Sequence, residues 1–110
     1  MERRRSERYR HQVKVRWMNS GVTGGGFTWD IGRYGAFICS QGTAPLNSIV
    51  DFEIDPGNGR DTIRCRGQVV WVNQGQLEGY PPGFGIEFVD GEEHVRWFLL
   101  SLAANDPELC

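Results

Sequence analysis

From Gln12 onward apolar and polar residues alternate. Val13, Val15 and Trp17 share one parity and Lys14 and Arg16 the other, the period of a half-buried strand. The pattern predicts a first strand ending near Asn19-Ser20-Gly21. The Gly24-Gly25-Gly26 run reads as a turn or irregular loop, after which Phe27, Trp29 and Ile31 share a face and predict a second strand leading directly into Asp30-Ile31-Gly32-Arg33-Tyr34-Gly35. Ala36–Cys39 is a short third strand. Val50, Phe52 and Ile54 alternate with Asp51, Glu53 and Asp55 in a fourth, and Pro56-Gly57-Asn58-Gly59 has the residues of a tight hairpin. Residues 62–73 form one long fifth strand with a kink at Gly67, and Phe84, Ile86 and Phe88 mark a sixth. Asp90 then stands as a helix N-cap with Glu93 completing a capping box, and Val95, Phe98, Leu99 and Leu102 form a helical apolar stripe.

Six regularly spaced strands followed by one amphipathic helix predict a mostly β fold, a six-stranded antiparallel β-barrel with a C-terminal α-helix. A chain of 110 residues suits one domain, and 15 Gly and 5 Pro agree with many turns. Residues 1–11 carry little apolar surface and read as a flexible basic arm, residues 12–105 as the barrel with its helix, and 106–110 as a tail. No stretch is long and apolar enough for a membrane span and no secretion-type leader follows the basic start, so membrane insertion is not expected and the chain reads as cytoplasmic.

Charge is segregated beneath a net value of −2. Residues 1–16 hold seven of the twelve Lys/Arg but two of the fourteen acids. Such a head can be a solvated arm, a nucleic-acid arm or an anion site built by a terminus. The acidic remainder of the chain would repel a long polyanion, so neither DNA nor RNA is an expected partner.

Catalytic chemistry finds little support. His11 and His94 are isolated, Cys39, Cys65 and Cys110 have no metal-ligand or redox spacing, and no nucleophile–base–orienter set is evident, so an enzyme and a metal site are not expected. Trp17, Trp29, Trp71 and Trp97 all fall in apolar phase and read as core residues, Trp71 at a strand end being the first candidate for another role. Two polar constellations remain. Arg4 and Arg8, four apart within a basic run, carry planar forks that can grip phosphate oxygens or the guanine O6/N7 edge, or stack on a base. Asp30 can accept from guanine N1–H and N2, while Gly32 and Gly35 allow a sharp turn and close backbone approach, although an ordinary hairpin with an exposed Asp explains the same residues.

In this order the two segments, Arg4-x-x-x-Arg8 and Asp30-x-Gly32-x-x-Gly35, resemble the signature of the PilZ family, as do Gly67-Gln68-Val69-Val70-Trp71-Val72 and Gly83-Phe84-Gly85-Ile86-Glu87-Phe88 over about residues 2–103. The resemblance implies the barrel already reached from periodicity. It also implies a stand-alone receptor for the bacterial second messenger cyclic di-GMP, whose arm orders over the ligand and signals to an unidentified effector protein. Arg4 and Arg8 would meet guanine and phosphate, Asp30 a guanine edge, and Gly35 would serve the turn. Arg3 and Arg5 are additional candidates. The family pattern has Ser where this chain has Gly32, so one ligand-contacting hydroxyl is missing. The alternative is a degenerate module that binds no nucleotide and acts as a protein-interaction adaptor.

Overall fold

The computed structural model describes residues 8–9, 12–57, 59–75 and 79–105, without the side chains of Arg8, Tyr9, Glu92 and 101–105. Its elements are β1 (Arg8–Tyr9), β2 (Lys14–Asn19), β3 (Val22–Gly32), β4 (Gly35–Cys39), β5 (Ile49–Asp55), β6 (Ile63–Asn73), β7 (Gly83–Asp90) and α1 (Glu92–Asn105). All strand pairs are antiparallel. Neighbours run β1-β3-β2-β5-β6-β7-β4, and β4 pairs back with β3, which closes β2–β7 into a six-stranded barrel. The short β1 lies beside β3 where β2 no longer reaches, setting Arg8 opposite Gly32 and Tyr9 opposite Ile31.

Alternation built the barrel where the ladder is regular. Val13, Val15 and Trp17 point inward from the first strand region, Val50, Phe52 and Ile54 from β5, and Phe84 and Ile86 from β7, all at 5% exposure or less. Val95, Phe98 and Leu99 of α1 join this core. Trp17 packs edge-on to Phe84 with centroids 5.5 Å apart, and its indole N–H reaches Ser40 Oγ at 3.3 Å. The side chain of Leu102 lies outside the described residues.

Five expectations fail, each for a local reason. Gly24, Gly25 and Gly26 are not a loop; they pair with Trp17, Arg16 and Val15 in mid-strand. The glycines are there for close approach, since a Cβ on Gly24 would come within 2.4 Å of the Trp17 ring and one on Gly26 within 2.0 Å of the Cys39 carbonyl oxygen. The reversal falls instead at Ser20 and Gly21, whose φ values of 48° and 83° suit the tight hairpin closed by the Asn19–Val22 pair. Phe27, Trp29 and Ile31 do not share a face, because the register shifts between Thr28 and Asp30. Phe27 is therefore 52% exposed, while Thr28 is fully buried with its hydroxyl accepting the Val13 N–H at 2.9 Å.

The third failure is at 56–62, a longer connection than a tight hairpin, since the last β5–β6 pair is Ile54–Ile63. The fourth concerns the helix start. Asp90 is still paired with Arg66 as the last residue of β7, so Gly91, whose carbonyl accepts from His94 and Val95 and whose φ is 83°, takes the N-cap position. The fifth is Trp97, 67% exposed on the helix face opposite Val95 and Leu99.

Candidate functional site

β3 and β4 meet in the Arg33–Tyr34 turn that carries the Asp30-x-Gly32-x-x-Gly35 segment. Ile31 faces the core, so its neighbours Asp30 and Gly32 belong to the outer face of the barrel. Asp30 is nonetheless 4% exposed and not the solvent-facing acid of an ordinary hairpin. It sits opposite Phe37, and its Oδ1 accepts the Phe37 N–H at 3.2 Å, which fixes the carboxylate against the sheet. Gly32 ends β3 without a left-handed φ, so its lack of a side chain, not its backbone freedom, is what distinguishes it.

An aromatic cluster stands beside this acid. Phe37 lies on the opposite parity from the core residues Ala36 and Ile38 yet has no exposed surface, because Trp71 and Tyr80 cover it with ring centroids 5.0 and 5.4 Å away. Trp71 and Tyr80 meet edge-on at 5.3 Å and are half-buried. Asn73 fastens the loop that brings Tyr80 in, donating to the Tyr80 and Pro81 carbonyls at 3.3 and 2.9 Å while accepting from Gly75 N–H. Phe37 and Tyr80 were not singled out from the sequence. The unbroken apolar run Ala36-Phe37-Ile38 was the available signal, since a strand apolar on both parities is buried on both faces.

On the turn itself Arg33 and Tyr34 are exposed, with the Arg33 guanidinium 5.4 Å from the Tyr34 ring centroid. The Tyr34 carbonyl accepts the Phe88 N–H at 2.8 Å, which ties the turn to β7. Gly35 is buried as the first residue of β4, opposite Glu87. Arg3, Arg4 and Arg5 lie outside the described residues. Arg8 is placed by its backbone, which pairs with Gly32; neighbouring strands lie about 4.8 Å apart, so the second arginine of the motif begins one strand spacing from the Asp30-x-Gly32 segment.

Among the described residues Cys65 has a displaced titration. Burial pushes its thiol up to about 12, with the neighbouring Asp90 charge adding to the effect, so the sulfur is a packed, protonated group and not a nucleophile.

The described residues thus form a closed six-stranded barrel with a C-terminal helix, with the polar segment on the β3–β4 turn beside the short N-terminal strand. The family model for the PilZ domain matches residues 2–102, and the chain belongs to that family, generally one of cyclic di-GMP receptors whose domains bind and regulate. The fold is similar to the crystal structure of the PilZ domain of CeSA from a cellulose-synthesizing bacterium, with a TM-score of 0.64 at 18% identity, covering 89% of this chain and 99% of that one. Among curated proteins none matches the sequence. No described helix is long and apolar enough to cross a membrane.

Proposed function

We propose that the chain binds cyclic di-GMP on the outer face of the β3–β4 turn, with Arg4 and Arg8 supplying guanidinium forks and Asp30 a carboxylate for a guanine edge, and that arm ordering over the nucleotide signals to an effector protein. The observation that carries the reading is the Arg8–Gly32 pairing, which joins two motifs some twenty residues apart in sequence. A ligand with two phosphates and two guanines offers bidentate acceptors to the arginines and paired donors to Asp30. The half-buried Trp71 and Tyr80 rings add apolar surface on the same side of the barrel. Arg3 and Arg5, flanking Arg4 in sequence, are further candidates for the same ligand, and Gly35 lets β4 begin without a side chain over the site.

One observation favours the adaptor reading instead. Asp30 is buried and already bonded to its own sheet, and Gly32 offers no hydroxyl. Calorimetric titration with cyclic di-GMP, with GTP and cyclic AMP as controls, separates the two. The receptor reading expects micromolar or tighter binding, weakened at least about tenfold by Arg4→Ala or Arg8→Ala, since a charge-assisted contact contributes about 1.5–3 kcal/mol. Absence of heat at high concentration of the folded protein selects the adaptor.

A further inference from the structure

Strand register lays out the outer face beside the β3–β4 turn row by row. Arg8 pairs with Gly32, Gly32 and Gly35 flank the two-residue turn that follows the Ile31–Ala36 pair, Gly35 pairs with Glu87, and Glu87 with Gln68. Ile31, Ala36 and Ile86 point into the core at 1% exposure or less, so Gly32, Gly35 and Glu87 belong to the outside. By register, Arg8 and Glu87 stand on either side of the two glycines, three strand spacings or about 14 Å apart along the sheet. The two positions between them carry no side chain. The neighbouring outer row is Asp30, Phe37, Gly85 and Trp71.

These two rows hold two carboxylates in opposite circumstances. Asp30 is 4% exposed and accepts the Phe37 N–H, so its Oδ1 serves the β3–β4 pair. Glu87 is exposed, and its cross-strand neighbours Gly35 and Gln68 are uncharged. Among the described residues no cation pairs with it. The acids of β5 are placed otherwise. Asp51 has Arg66 at 2.9 Å, Glu53 has Arg16 and Arg64 at 3.8 and 3.6 Å, and Asp55 accepts the Gly57 N–H at 2.9 Å. Glu87 is therefore the carboxylate on this face whose acceptors are uncommitted among the described residues.

We infer, resting on the receptor reading, that Glu87 is a specificity-determining residue of the same site, its carboxylate accepting the N1–H and N2 amine of a guanine laid over the Gly32–Gly35 step. The absence of side chains at those two positions lets a base come close to the backbone. The order of charges along the row suits a nucleotide, with phosphate toward Arg8 and the guanine edge toward Glu87. The acceptor pair that a guanine needs is then available without drawing Asp30 out of the sheet. The sign of a charge-removing substitution separates this role from that of a bystander. A carboxylate that does not touch the base repels a dianionic ligand, so its removal tightens binding, whereas removal of one that holds the base weakens it.

The test is calorimetric titration of the full chain, Glu87→Gln and Arg8→Ala with cyclic di-GMP and with its inosine analogue, which keeps N1–H but lacks the 2-amino groups. Glu87 is exposed, so the variant should keep the fold, as circular dichroism checks. Glu87→Gln is expected to weaken cyclic di-GMP at least about fivefold, and the inosine analogue by a smaller factor because part of the contact is already missing. Unchanged or tighter cyclic di-GMP binding in Glu87→Gln, with Arg8→Ala still weakening it, overturns this inference and leaves the receptor reading in place. An equal loss for both nucleotides overturns it as well, since the contact would not be to the guanine edge. No binding by the wild-type chain removes the receptor reading itself, and this inference with it.

Discussion

At the scale of single residues, space and solvation decide the outcome of substitutions. Gly25 and Gly26 are sequence neighbours with opposite surroundings: a Cβ on Gly25 meets only the Val15 carbonyl at 3.7 Å, whereas on Gly26 it would overlap Cys39. Gly26→Ala should therefore cost about 1–3 kcal/mol or prevent folding, and Gly25→Ala less than about 1, as read by chemical denaturation. Cys65 gives a pH signature. Its thiol is held near 12 in the folded chain against 9 in the unfolded one, so unfolding releases a proton above pH 9. The contribution is complete below pH 9 and falls by up to about 1.4 kcal/mol per pH unit until 12. Cys65→Val should flatten that fall relative to wild type; parallel curves would mean that the thiol is not linked to folding. At the proposed ligand face, Gly32→Ser meets no left-handed φ, so on the receptor reading the added hydroxyl should tighten cyclic di-GMP by about two- to tenfold in calorimetry. None of these surroundings was legible in the chain: a buried Asp30 and an exposed hairpin Asp have the same sequence, and the burial is seen only once β3 is paired with β4.

At the scale of elements, periodicity identified the six barrel strands and the helix, and it failed where a ladder slips. Val50-Asp51-Phe52-Glu53-Ile54 keeps a regular register with both neighbours, so its alternation reads directly as inside and outside. At Trp29 one extra residue reverses parity, and Phe27, in phase with Ile31 on paper, is turned to solvent. The glycine triplet misled for a related reason: in a closed sheet Gly24 and Gly26 make room for a ring and a backbone, a demand set by residues far along the chain. β1 left no periodic trace because two residues cannot show one. The charged row over β5 was equally hidden, since Arg16, Glu53 and Arg64 become neighbours only through the register of β2, β5 and β6. The β2–β3 hairpin offers a clean element-level test. Gly21 has φ 83° with open space around it, so Gly21→Ala should cost about 1–2 kcal/mol through backbone strain alone and leave the barrel fold unchanged by circular dichroism.

At the scale of the whole molecule, the sheet closes through β3–β4, and β3 is longer than its partner β2. The stretch of β3 beyond β2 is covered by β1, two residues long. A ladder this short can open without disturbing the core, so the amides of Arg8 and Tyr9 and those facing them on β3 should exchange faster than the β2–β5 amides. Cyclic di-GMP should slow them if the arm closes on it, and equal exchange with and without nucleotide would remove the proposed switch. The same seam bears on how the protein behaves at high concentration. Deleting residues 1–11 would strip the cover from Ile31 and Gly32 and present the end of β3 as a bare strand edge, a template for pairing with another molecule. The truncated chain should accordingly self-associate with rising concentration in light scattering while the intact chain stays dispersed, which makes the basic head a solubility guard as well as a candidate ligand clasp.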